Sequence, residues 1–447
     1  MKKPGAILRP SLNHSLDIID LMYFVARHIL TDTHCHYLPE LNMTALNCCS
    51  HVLLVTLVVL TAACGGQQPG ERVATDLPHE ESVTLDTTGA VVVTSAPLSS
   101  DATCTISEDP TLVIGDNEHD DNQWFSSIRG IARLSDGSIA VADRSAAEVR
   151  IYDRQGRHLR SMGRSGEGPG EFRDPYGLWV TSGDTLWAGD YRPWRYNVFT
   201  AEGELVRQVN LKPAYPNPSR GGGVLDNEFT INAIERWGSK PDFSERLSFL
   251  AEIHDPSGNL TDGPLRMLGP RQGTIRGGPS TLVTGELFGS RPDIDALGST
   301  IALVHGSKPE VLLLDQKLDV KMIIRYDDPG QIVTREHVRA WRDDRRERRG
   351  DAWNEYDDAA VSPDRPVADM FPYISTVKIG RDGRIWVNRS NLPGEERGWL
   401  AFGADGRFVC HLAEMPSYVW EFGEDYVLLE SEEGAPTVRM HELKPPS

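Results

Sequence analysis

Apolar and polar residues alternate in four short runs through GIARLSDGSIAVADRSAAEVRIYDRQGRHLRSMG, residues 130–163, separated by Asp-Gly, Arg-Ser-Ala-Ala and Gln-Gly. A period of two marks strands with one buried face, and turn dipeptides that tolerate positive φ close tight hairpins. The stretch therefore predicts four antiparallel strands forming one sheet. The pattern returns over residues 177–211, with Gly183-Asp184 and Glu202-Gly203 at the turns. It returns again over residues 374–415, with Asp382-Gly383 and Asp405-Gly406. Such recurrence at a spacing of about 45 residues is the mark of a repeat architecture.

Weaker copies fill the intervals. Phe249–Gly269 keeps the outer strands of a third sheet, and Ser299–Tyr326 keeps three strands of a fourth. The last stretch, Tyr418–Leu443, supplies only three strands, so it needs a donor. Ala102–Gly115, left over before the first full repeat, has the right length to complete it, with Thr103–Ile114 expected beside Thr437–Leu443. Closure of that kind removes an exposed sheet edge and gives a ring of six sheets.

One segment breaks the rhythm. Thr334–Ala360 is dense in helix-favouring charged residues; Thr334 can cap, though without a full capping box, and Val338, Trp341 and Arg345 share a face. It predicts two short helices, an insertion over 334–360, either packing through Trp341, Trp353 and Tyr356 or serving as a lid or docking surface.

The N-terminus carries an address. HVLLVTLVVLTAAC, His51 to Cys64, is an apolar stretch of about a dozen residues, too short for a spanning helix and matched to a signal peptide. Its ending, LTAAC before two glycines, resembles the lipobox of bacterial lipoproteins, although Thr61 stands where that family usually has Leu. The resemblance implies that Cys64 begins the mature protein and carries the lipid. Residues 1–63 are then a leader, with 1–42 upstream of the signal as expected from a start assigned too early. Residues 64–101, small and polar, read as a flexible tether. Asp32-Thr-His-Cys-His36 resembles the metal-binding opening of TatD-type hydrolases, but it precedes the export signal and reads as coincidence.

GRSGEGPGEFRDPYGLWV, residues 163–180, leads into WAGDYRPWRYNVFTAEG. Together they resemble the NHL-type repeat, whose pattern runs G-x-F-x-x-P-x-G-hydrophobic, then a strand ending in Asp, then Arg and an aromatic before a Gly turn. Residues 102–443 as a whole resemble an all-β, six-bladed β-propeller of the TolB-like class common among bacterial envelope lipoproteins.

Composition narrows the function without naming it. Lys and Arg number 46 against 65 Asp and Glu, for a net charge of −19, which leaves no footprint for nucleic acid. Four of the six cysteines lie in the first 64 residues, leaving Cys104 and Cys410, which an oxidising compartment would allow to pair although outer strands of adjacent blades diverge. No CxxC pair points to zinc. The Gly163–Gly170 loop lacks Lys-Ser/Thr and carries Glu167, with Glu171 just beyond, so it reads as a crossing between blades rather than a phosphate cradle. Asp143, Asp190, Asn388 and Glu430 recur at the ends of second strands, where they align the following arginines or, alternatively, gather a divalent cation such as Ca2+ near the axial channel. No G-x-S-x-G is present, and the histidines of the folded part are scattered. The expectation is a monomeric, lipid-anchored cell-envelope module without cofactor or catalytic residues. It would bind the membrane through its lipid, and an unknown protein or small molecule through its loops. The alternative is a lactonase-like, metal-dependent hydrolase or lyase with its site in the channel.

Overall fold

The strong repeats fold as their alternation dictates, each into an antiparallel sheet with strands in chain order. In the computed structural model the described residues are 82–85, 89–95 and 102–446, with short breaks at 118, 192–193, 216–219, 238–241, 278–279, 393–394, 396, 416 and 432–434, and all of them belong to one unit, Leu77–Ser447. The leader, the Asp32–His36 motif and Cys64 lie outside the described residues.

The first sheet joins Ile128–Arg133, Ile139–Asp143, Glu148–Tyr152 and His158–Met162. The next joins Pro175–Thr181, Thr185–Tyr191, Trp194–Phe199 and Leu205–Asn210. Another joins Ile374–Ile379, Ile385–Arg389, Trp399–Phe402 and Phe408–Leu412. At the first sheet's turns Gly137 and Gly156 take φ of +85° and +77°, which a side chain would resist.

The result is an all-β propeller of four-stranded antiparallel blades. Its inner strands pack in the order 128–133, 175–181, 220–224, 293–297, 374–379, 417–422 and back to 128–133. The cores lie between successive sheets: Ala140, Val149 and Ile151 meet Leu178 and Leu186, and Trp386 and Trp399 meet Phe422, with Trp386 stacked on Phe422 at 4.1 Å. Each such aromatic pair adds about 0.5–1.5 kcal/mol beyond the area it buries.

Six separate sheets, as the repeats predict, are not what the hydrogen bonding gives. Four blades stand alone, and the rest of the ring is one eleven-stranded sheet. Two runs of strands meet in it where Arg220–Val224 pairs in parallel with Asp293–Leu297 through Gly223 and Ala296. A Cβ on Gly223 would lie 2.6 Å from that of Ala296, so the glycine run lets two backbones close to hydrogen-bonding range where side chains would hold them apart. The inner strand Arg220–Val224 escaped the sequence pattern because Gly221, Gly222 and Gly223 carry no apolar alternation. The outer pair, Asp242–His254 and Leu260–Gly277, extends far past the other blades and adds Ser280–Gly285 at its edge.

Ring closure follows the expected route. Val438, Arg439 and Met440 pair antiparallel with Ile114, Val113 and Leu112, and Leu443 and Lys444 pair with Ile106 and Thr105. Cys104 and Cys410 form a disulfide with their Cα atoms 5.6 Å apart. Divergence of the outer strands does not prevent it, because residues 103–106 run between two blades: Thr103 bridges His411 on one side while Thr105 meets Lys444 on the other.

The tether expectation needs correction over one stretch. Val91–Thr94 is a strand, paired in parallel with Met322–Arg325, and Ser82–Leu85 pairs outside it. Val92 and Val93 are buried, and Val93 packs on the Gly406 turn.

The insertion forms α1 (Arg335–Arg349) and α2 (Glu355–Ala360). Its capping box is complete after all, since the Thr334 amide donates to Nδ1 of His337 while the His337 amide donates to the Thr334 hydroxyl. Arg345 and Arg349 both donate to Asp357 and tie α1 to α2. Trp341 packs edge-on to Phe288, whereas Tyr356 remains 52% exposed.

Candidate binding cavity

The six inner strands surround a cavity of about 470 Å³. Its walls follow from how closely these strands approach. A Cβ on Gly130 would sit 2.5 Å from Leu178, so the 128–133 and 175–181 strands touch backbone to backbone. Beside that contact the Trp179 ring fills a slot left by absent side chains: Cβ atoms on Gly177 and Gly221 would lie 2.1 and 2.5 Å from it. Tyr196 holds the indole from behind, edge-on at 5.7 Å. On the other side of the 128–133 strand, the 417–422 strand brings Tyr418 and Trp420, edge-on at 4.8 Å.

The acidic side chains that border the cavity serve as acceptors for the protein itself. Asp293 accepts from the Thr376 hydroxyl at 2.5 Å and the Val377 amide at 3.0 Å. Asp295 accepts from the Ile379 amide at 2.7 Å. Both carboxylates thus fasten the 293–297 strand to the neighbouring inner strand. Burial pushes the Asp295 carboxyl upward, more than nearby Lys378 and the amide pull it down. Glu421 accepts from Arg381 at 2.7 Å and from the Tyr426 hydroxyl at 2.5 Å. Glu430 accepts from the Trp420 indole at 2.9 Å.

Arg129 contrasts with them. It lines the cavity on the 128–133 strand, and its side chain makes no hydrogen bond, ion pair or ring contact among the described residues. A guanidinium offers five donors in a planar fork and can accept nothing.

Of the four residues expected near the channel, only Glu430 reaches the cavity. Asp190 is buried against Arg195, whose Nε and Nη2 donate at 3.0 and 2.9 Å, and it also accepts the Asp174 amide at 2.8 Å. Arg195 in turn donates to the carbonyls of Glu167 and Glu171, fixing the glycine-rich crossing. Asp143 accepts the Ser145 amide and stands 3.9 Å from Arg150, which is bonded more closely to Glu148 at 2.6 Å. Asn388 accepts from Ser375 at 2.7 Å and donates to Glu414. The aligning of arginines after strand-end carboxylates is therefore seen at Asp190 and Arg195. Among the described residues no group of three or more His, Cys, Asp or Glu is placed to hold a metal ion.

A second polar centre is buried between the 175–210 blade and the eleven-stranded sheet. The Tyr196 hydroxyl donates to Asn232 at 2.7 Å, Asn232 lies 3.2 Å from Nδ1 of His254, and Nε2 of His254 stands 3.6 Å from Glu252. Burial lowers the His254 imidazole to about 4 and raises the Glu252 carboxyl.

Sequence reasoning missed Arg129, Trp179 and Asp295. A usable signal exists for two of the strands: Arg129 and Tyr176 each precede a glycine, Gly130 and Gly177, at the start of a repeat, the position where inner strands converge.

No protein-family model matches the chain, and no curated protein does. Among solved structures, a candidate exported protein of Bacteroides fragilis is 11% identical with a TM-score of 0.47, over 80% of this chain and all of its own. Virginiamycin B lyase of Staphylococcus aureus is 9% identical with a TM-score of 0.38, over 76% of this chain and 99% of its own. A calcium-binding regucalcin of Agrobacterium tumefaciens is 11% identical with a TM-score of 0.36, over 73% of this chain and 93% of its own. At these values none of them transfers a ligand or a reaction to this chain.

Proposed function

We propose that this chain is an extracytoplasmic, lipid-anchored six-bladed propeller that acts as a binding module, with a small-molecule site in the axial cavity. The observation that carries the reading is the cavity itself: walls from six inner strands, aromatic faces on two sectors, and acidic groups already bonded to protein donors. Concave sites of roughly 300–1,000 Å³ with apolar faces and a few placed polar groups are the usual form of a small-molecule pocket.

The six-fold count treats the eleven-stranded sheet as two blades joined at Gly223 and Ala296, with Ser82–Leu85, Val91–Thr94 and Ser280–Gly285 as additions. Support for the compartment comes from the buried Cys104–Cys410 disulfide, which persists in oxidising surroundings, and from the apolar run that ends at Cys64. One chain supplies the whole ring, which favours a monomer. The metal-dependent hydrolase or lyase alternative has less support, since Asp143, Asp190 and Asn388 are committed elsewhere and only Glu430 borders the cavity.

The test is a compound screen by thermal shift on the purified protein, followed by metal analysis. Stabilising compounds whose effect disappears in Trp179→Ala and Thr376→Trp, each folded by circular dichroism, would support the pocket. A stoichiometric divalent ion, with hydrolytic turnover lost on chelation, would overturn it in favour of the enzyme. Metabolic labelling with a fatty acid, lost in Cys64→Ala, tests the anchor separately.

A further inference from the structure

Donor and acceptor accounting in the cavity shows what a ligand must bring. The four bordering carboxylates each accept from a protein donor: Asp293 from Thr376 and Val377, Asp295 from Ile379, Glu421 from Arg381 and Tyr426, Glu430 from Trp420. Arg381 is spent on Glu421. Arg129 alone among the cavity's arginines has no protein acceptor among the described residues. Its place in the ring matters as much. The strands on either side of it are those that carry Trp179 and Trp420, whereas Asp293 and Asp295 belong to the strand 293–297, which packs between 220–224 and 374–379.

We infer that the axial cavity takes a planar organic anion, its acidic group held by the Arg129 guanidinium and its ring system laid against Trp179 or Trp420. This inference rests on the reading of the cavity as a small-molecule site. A guanidinium matches the two oxygens of a carboxylate or a phosphate in parallel N–H···O bonds, and such charge-assisted bonds are the stronger kind. Trp179 and Trp420 both line the cavity, and a flat ring stacks on an indole better than a branched aliphatic acid does. The overall charge of −19 sets the field against anions at long range, so the discrimination has to be local, at Arg129.

The experiment titrates the full chain, by calorimetry and by tryptophan emission, with three probes of one shape: 2-naphthoate, 2-naphthylmethanol and 2-naphthylmethylammonium. The expected order is naphthoate tightest, the alcohol weaker and the ammonium weakest. Arg129→Ala should weaken naphthoate by about 10- to 100-fold while changing the alcohol little, and Arg129→Lys should recover part of the loss. Because Arg129 bonds to no described residue, the Ala variant should retain the wild-type melting profile. The ammonium binding as tightly as the naphthoate, or Arg129→Ala leaving naphthoate unchanged, would overturn the charge assignment while sparing the pocket. Failure of all three probes to bind would overturn the pocket reading with it.

Discussion

In the 175–210 blade Asp190 and Arg195 bury both of their charges together, 2.9 Å apart, whereas in the eleven-stranded sheet Glu252 and His254 are equally buried with no arginine beside them among the described residues. In the first pair Arg195 donates to the Asp190 carboxylate, which also accepts a backbone amide from Asp174. In the second, burial raises the Glu252 carboxyl and lowers the His254 imidazole. The 175–210 blade thus holds its buried acid against a guanidinium, whereas the fused sheet holds an acid and an imidazole whose proton affinities burial shifts in opposite directions.

The strongest test of the contrast is Arg195→Ala. It strands a buried carboxylate and frees the glycine-rich crossing, so urea unfolding should show a loss of about 3–5 kcal/mol. A loss under about 1 kcal/mol would mean that Asp190 is reached by water. Next comes the seam beside the discrete blades. Cys410→Ser opens a link between positions 306 residues apart and should cost about 2–5 kcal/mol in denaturant midpoint, with little change in wild type under mild reductant because both cysteines are buried.

The fused sheet should answer to pH instead. With a folded value of about 4 against an ordinary 6.5, His254 refuses a proton that the unfolded chain accepts. Its contribution is whole above pH 6.5 and is lost as pH falls toward 4, by about 3 kcal/mol at most. Glu252 has the opposite sign: its raised carboxyl contributes below 4.5, and that contribution is lost as pH rises through the folded value. His254→Gln should therefore flatten the decline between pH 6.5 and 4, and Arg195→Ala should leave that slope alone. Equal slopes in His254→Gln and wild type would contradict the assignment. The smallest effect belongs to the added edge, where Val93→Ala should cost about 1–3 kcal/mol through the contact it leaves open on Gly406 and Met322.

Much of the fold was legible because its blades are coded locally. Alternation plus turns at Gly137, Gly156, Gly383 and Gly406 gives the four-stranded sheets, and the shortage of one strand in Tyr418–Leu443 called for a donor from Thr103–Ile114, supplied by Leu112–Ile114 and Thr105–Ile106. Val91–Thr94 escaped because a short valine run among polar residues does not announce a partner at Met322–Arg325, far along the chain. The glycine run at Gly221–Gly223 hid an inner strand and, by letting two sheets join, changed how the blades separate. Asp143, Asp190 and Asn388 were visible as a recurring position, yet their surroundings, set by the packing of crossings and neighbouring blades, decided that they bind protein groups. Arg129 carried only the signal of preceding Gly130 at a repeat start, since the cavity it lines exists only where six strands meet.

The account depends on the ring being closed by its own first segment. Thermal unfolding of the chain begun at residue 102, with Cys410→Ser to remove the disulfide, compared with the same variant begun at residue 117, tests this directly. The longer chain should melt in one cooperative transition, and the shorter one, missing the partner of Val438–Met440, should lose that transition and associate through the open edge. Matching melting curves for the two would show that Leu112–Ile114 does not hold the ring together.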